Sequence, residues 1–97
     1  MNIKITALHF KADQKLEDFI TEKLNKIEKL SDTIIGADVV LKIENTEKPD
    51  NKITEIRLKI KGYDLHAEKI SSSFEAATDL AVEAIRKQLT KSKEKMS

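Results

Sequence analysis

Apolar and polar residues alternate along this chain with two different periods, and the changes of period mark its elements. "NIKIT" sets Ile3 and Ile5 on one side and Asn2, Lys4 and Thr6 on the other, the two-residue period of a strand. Asp13 is suited to an N-cap. After it Leu16, Phe19, Ile20, Leu24, Ile27 and Leu30 recur every three or four residues, which predicts an amphipathic helix over about 13–30. Alternation returns in "ADVVLKIE", with Ala37, Val39, Leu41 and Ile43 on one face. "NTEKPDNK" holds the only proline and reads as a loop. In "ITEIRLKIKG", Ile56, Leu58 and Ile60 face inward and Glu55, Arg57 and Lys59 outward. Gly62 begins a turn into "YDLHAEKI", a shorter strand with Tyr63, Leu65 and Ala67 on its apolar side. Ser72 and Glu75 have the spacing of a capping box. The stripe Phe74, Ala77, Ala81, Ile85 and Leu89 then predicts a second helix.

The order strand, helix, three strands, helix constrains the topology. The last three strands have short connections and are expected to form an antiparallel meander. The first is joined through a helix and is expected to lie parallel to a neighbour, with a right-handed crossover. Two helices on one face of a four-stranded sheet leave the other face to water, as the alternation requires. The expected class is α+β, a two-layer sandwich. A chain of 97 residues fits one domain with a modest core, here residues 1–97.

Composition removes several classes of function. The chain is 39% hydrophobic and 36% charged, and no apolar run approaches the ~20 residues that span a bilayer. The opening "MNIKITALHF" lacks the apolar block of a signal peptide, so a cytoplasmic protein is expected. With no cysteine there is no disulfide, thiolate metal site or cysteine nucleophile. His9 and His66 lack partners at metal-ligand spacing and read as surface histidines. "SSS" at 71–73 has no nearby base, and two glycines cannot build a phosphate-cradling loop. Neither an enzyme, nor a cofactor, nor a metal, nor a small-molecule substrate is expected.

Charge is more informative than its sum. The formal net charge is +1, yet "RKQLTKSKEK" carries five cations against one acid. Both helices open acidic and close basic. The first runs from Asp13, Glu17, Asp18 and Glu22 to Lys23, Lys26 and Lys29; the second runs from Glu75, Asp79 and Glu83 to Arg86, Lys87, Lys91, Lys93 and Lys95. The helix macrodipole favours that order by roughly 0.3–1 kcal/mol per charge near an end, and for the first helix this nearly suffices. In the second, Lys87, Lys91 and Lys95 form an i, i+4, i+8 row in which Glu83 can pair only with Lys87. Like charges at that spacing repel. Ser92 occupies the apolar stripe, so the helix is expected to leave the core there. A projecting, self-repelling basic end leaves two readings, a solvated helix terminus or a surface for an absent polyanion. Aromatic residues make up only 4% of the chain, and Phe19 and Phe74 read as core. Contact is therefore expected to run from lysine and arginine to RNA phosphates rather than through base stacking.

The same segments resemble the hibernation promoting factor family, also called ribosome-associated inhibitors, over essentially the whole chain. "MNIKITALHF" with "DQKLEDFITEKLNKIEKLSD" is similar to the family's opening strand and helix, and "SFEAATDLAVEAIRKQLTKSKEK" to its last helix. The resemblance implies a fold like a double-stranded-RNA-binding domain. It also implies a non-enzymatic protein on the small ribosomal subunit and its rRNA, lying in the channel for messenger and transfer RNA and silencing translation in stationary phase or stress. Lys87 matches the family's basic residue before Gln-Leu, Lys91 and Lys93 match a K-x-K pair, and Lys23 and Lys26 match lysines of the first helix. Arg86 is an additional cation beside the motif, and Lys95 extends the row. Ala84 stands where the family usually has a lysine, and "SFE" replaces a D-M-Y segment. The chain resembles the short-form members, for which an isolated monomer is expected. Two other readings fit the residues: a structured-RNA-binding α+β module acting away from the ribosome, and an oligomerising domain whose basic helix meets an acidic protein.

Overall fold

The computed structural model describes the backbone of residues 1–96 and the side chains of residues 1–91. Its elements follow the order β1 (Asn2–Ala7), α1 (Gln14–Glu28), β2 (Ile34–Ile43), β3 (Lys52–Ile60), β4 (Tyr63–Ser71) and α2 (Phe74–Met96). The strands lie side by side in the order β1-β2-β3-β4, with β1 parallel to β2 and the other two pairings antiparallel. This is the α+β arrangement that the alternation of periods implies.

Alternation decides what each strand buries. Ala37, Val39 and Leu41 of β2 and Thr54, Ile56, Leu58 and Ile60 of β3 are all buried. Against them lie Ile20, Leu24 and Ile27 of α1 and Phe74, Ala77, Ala81, Ile85 and Leu89 of α2. The opposite sheet face carries Arg57, Lys59, His66 and Glu68, all exposed. It is tied by cross-strand ion pairs from Lys59 to Asp38 (3.1 Å) and Lys42 to Glu68 (3.3 Å), and by a 3.1 Å contact between His66 Nε2 and a Glu55 carboxylate oxygen.

Two glycines answer two local demands. The β3–β4 hairpin turns through Lys61 and Gly62, and Gly62 takes φ +95°, which a side chain would oppose. At Gly36 a Cβ would lie 2.7 Å from the Asn2 carbonyl oxygen, so only glycine lets β1 approach β2. The β2–β3 register slips between Ile34 and Gly36, and Ile35 is left exposed. That bulge breaks the alternation, which is why the sequence pattern starts the strand at Ala37, three residues late.

Caps and edges bring further corrections. Asp13 does cap α1, accepting from the Leu16 amide at 2.8 Å. The cap of α2 is Ser73 rather than Ser72: its hydroxyl accepts from the Ala76 amide at 3.1 Å, and the helix begins at Phe74. Helix α1 ends at Glu28, leaving Leu30 exposed beyond it. Phe19 is not core either. It is half-exposed, with the Lys23 ammonium 5.3 Å from its ring centroid. Phe10, by contrast, stacks on Phe74 with centroids 5.0 Å apart and 13° between planes.

One polar contact lies inside the core. Thr54 of β3 and Thr78 of α2 are both fully buried and hydrogen-bond through their hydroxyls at 3.2 Å. Thr78→Val leaves the Thr54 hydroxyl buried without that partner and is expected to cost about 1–3 kcal/mol in urea unfolding; the Thr54→Val, Thr78→Val pair should recover most of it. Phe74→Ala should cost about 3–5 kcal/mol, the range for a buried aromatic. A loss under about 1 kcal/mol would contradict the packing of α2.

Candidate nucleic-acid interface

Helix α2 is held to β3 and β4 by its apolar stripe as far as Leu89, its last core residue among those described. It continues to Met96, about two further turns. Arg86, Lys87 and Lys91 are exposed along this end. With Thr90 they line a shallow depression on the helix surface. Gln88 faces the other way and donates to the His66 carbonyl of the β4 edge at 2.8 Å, which fixes the rotation of α2 about its axis. Lys93 and Lys95 lie outside the residues whose side chains are described.

Helix α1 packs beside α2 and brings two more cations. Lys23, Lys26, Ile27 and Leu30 of its side face Asp79, Val82, Glu83 and Arg86 across a groove between the helices. Five of the seven residues expected to contact RNA (Lys23, Lys26, Arg86, Lys87 and Lys91) thus gather along this groove and the helix end that continues it. Ala84, at the position where a lysine is usual, is half-buried against the core and adds no charge.

The cations differ in what they already hold. Lys23 pairs with Asp79 at 3.0 Å, tying α1 to α2. Arg86 is gripped by Glu83 through two bonds, Nη2 to Oε1 at 2.6 Å and Nε to Oε2 at 3.1 Å. Glu83 was expected to pair with Lys87. The i,i+3 guanidinium wins because it offers a fork to both carboxylate oxygens, whereas an ammonium offers a point charge. Among the described residues no carboxylate lies within ion-pair reach of Lys26, Lys87 or Lys91. Among the described residues these three cations thus have no ion-pair partner, whereas on the open sheet face Lys59 and Lys42 are paired with Asp38 and Glu68 and Arg57 is not paired.

The fork also sets the titration of its partners. The hydrogen bond from Arg86, then its charge and that of Lys87, hold the Glu83 carboxyl below the usual glutamate range, and Glu83 raises Arg86 in return. Both groups are solvent-exposed, so water screens the effect on stability. Among the described residues no group of three His, Cys, Asp or Glu side chains is placed to hold a metal ion, and no helix is long and apolar enough to cross a membrane.

The family described as Sigma 54 modulation protein / S30EA ribosomal protein matches residues 3–97. The chain belongs to that family. It is 30% identical over 96 residues to a ribosome hibernation promoting factor of Klebsiella oxytoca, covering 99% of this chain and 97% of that protein. Identity is also 30% to the protein of that name from Pseudomonas putida, over 98% of this chain and 89% of the relative. A ribosomal subunit interface protein from Coxiella burnetii superposes with TM-score 0.85 at 23% identity, covering 97% of this chain and 99% of that one. The N-terminal domain of Thermus thermophilus Protein Y superposes with TM-score 0.82 at 24% identity, over 94% and 98%. These two likenesses establish a shared fold.

A depressed Glu83 stays charged to lower pH than an ordinary glutamate does, so the fork opens at correspondingly lower pH. Carboxyl-detected NMR titration should give Glu83 a midpoint below the usual value of about 4.3, and Arg86→Gln should move it back up.

Proposed function

We propose that this chain is a ribosome-binding translation silencer. On this reading the basic end of α2, with Lys26 of α1, lies against phosphates of the small-subunit rRNA. The protein then occupies the channel of messenger and transfer RNA and idles ribosomes in stationary phase or stress. It acts in the cytoplasm, as one ribosome-binding domain over residues 1–97, by occupancy and not by catalysis. The relatives' names, which speak of ribosome hibernation, support the site of action.

The observation that carries the reading is the unequal treatment of charge on one small domain. Among the described residues Lys26, Lys87 and Lys91 have no ion-pair partner at one end of the helical layer, while on the open sheet face Lys59 and Lys42 are paired with Asp38 and Glu68. A row of like charges one turn apart is mildly unfavourable in the free helix. It becomes favourable when the lysines replace the counterions condensed on RNA phosphates, which are released to bulk solvent. Lys23, Arg86, Lys93 and Lys95 belong to the same proposed surface. The narrow aromatic content fits recognition of RNA by backbone and shape.

The test is charge removal at constant length and helix propensity. Lys87, Lys91 and Lys93 replaced together by glutamine should leave the thermal unfolding midpoint nearly unmoved, since exposed substitutions shift stability by about ±0.5 kcal/mol. Co-sedimentation with small ribosomal subunits should weaken, and its slope of log K against log salt should flatten by about two to three. Unchanged affinity and slope would return the helix end to an ordinary solvated terminus. Binding to other structured RNA but not to small subunits would favour a module acting elsewhere, and ribonuclease-insensitive binding would favour a protein partner.

A further inference from the structure

The groove between α1 and α2 contains its own anions. Asp79 and Glu83 stand on the α2 wall, each bonded to a cation that belongs to the proposed phosphate surface: Lys23 at 3.0 Å and Arg86 at 2.6 and 3.1 Å. Of these the Glu83–Arg86 contact is the more directional, since both carboxylate oxygens accept from the guanidinium. A carboxylate held in two bonds by an arginine has the same shape and charge sense as a phosphate held by its two free oxygens. Arg86 also reaches both surfaces, lining the inter-helix groove and the depression formed with Lys87, Thr90 and Lys91.

We propose that Glu83 is a specificity-determining internal competitor, a stand-in for phosphate that occupies Arg86 until RNA displaces it. The inference rests on the reading of this helix end as an RNA-phosphate surface. In the free protein Arg86 is held ready in one orientation beside Lys87. A ligand reaches it only by exchanging a phosphate for the Glu83 carboxylate, and the freed carboxylate turns to water. A single diffuse anion gains little from that exchange. A strand that already holds Lys87 and Lys91 through neighbouring phosphates brings the third phosphate at high local concentration and completes it. Glu83 thereby lowers affinity for stray polyanions and reserves Arg86 for RNA seated along the whole row. The same fork explains why an arginine stands here and not a lysine: a point charge would be held less tightly by Glu83 and would take the phosphate less selectively.

The test is a double-mutant cycle on binding to a fluorescent, mixed-sequence RNA duplex of 20 base pairs, followed by anisotropy over a range of salt. An exposed ion pair restrains its partner by roughly two- to fivefold, so Glu83→Gln should tighten RNA binding by that factor and steepen the salt slope by about one as Arg86 gains a phosphate. In an Arg86→Gln background most of that gain should vanish. A gain of equal size in both backgrounds, or no gain in the first, overturns the proposal, the former because Glu83 would then act only through general charge. Lys87→Gln, Lys91→Gln, run beside these, tests the underlying reading separately. If that variant binds the duplex as well as the parent does, the phosphate surface itself is wrong, whatever Glu83 does. If it binds weakly while Glu83→Gln leaves the parent unchanged, the surface stands and the competitor role fails. Thermal midpoints within a few degrees of the parent should accompany every variant, since the replaced residues are exposed or half-exposed.

Discussion

Close approach of α2 to the sheet is the constraint on which the rest of the molecule depends. Ala77 and Ala81 are fully buried on the helix face that meets β3 and β4, and residues so small let the helix lie close to the strands. The Thr54–Thr78 hydroxyl bond then fixes where along its length the helix sits, and Gln88 on the His66 carbonyl fixes its rotation. With both settled, the side chains one and two turns further on have no freedom to choose a face. Arg86, Lys87 and Lys91 face solvent because Ile85 and Leu89 cannot. The candidate interface is thus a consequence of core packing, built on a rigid element rather than on a loop.

Charge is sorted by the same geometry. Strands present alternate residues to water at fixed cross-strand spacing, so acids and bases on the open face find one another, as Asp38 and Lys59 do. The helices offer neighbours at three and four residues only. Between Glu83 and Lys91 α2 provides only cations as charged residues, and among the described residues α1 supplies no carboxylate in ion-pair reach of Lys87 or Lys91. Net charge near zero therefore conceals a largely paired face and a basic end. Binding through such an end depends on salt at short range and involves little long-range steering.

Most of the architecture was legible in the sequence because period changes are local and strong. The alternation of Ile56, Leu58 and Ile60 and the stripe from Phe74 to Leu89 could each be read in only one way. What escaped was decided by contacts distant in sequence or by side-chain shape. The start of β2 was hidden by the bulge at Ile35, beside the Gly36 that passes close to the Asn2 carbonyl. Phe19 has the spacing of a core residue but sits at the rim of the stripe, where Lys23 covers it better than the sheet does. Ser73 rather than Ser72 takes the cap because β4 runs on to Ser71 and α2 begins only at Phe74. Lys87, Lys91 and Lys95 could be named from their row, whereas Lys23, Lys26 and Lys93 came from the family resemblance. That Glu83 would hold Arg86 and leave Lys87 free could not, since both spacings pair well on a helix and only the fork geometry distinguishes them.

The central claim is that the basic end of α2, and not the open sheet face, meets ribosomal RNA. Lysine acylation read by mass spectrometry, with the protein free and then bound to small ribosomal subunits, addresses it residue by residue. The account predicts that Lys26, Lys87 and Lys91 lose reactivity on binding, while Lys61 in the β3–β4 turn and Lys59 on the open face keep theirs. Protection confined to Lys59 and Lys61, with Lys87 and Lys91 as reactive in the complex as in the free protein, would contradict it.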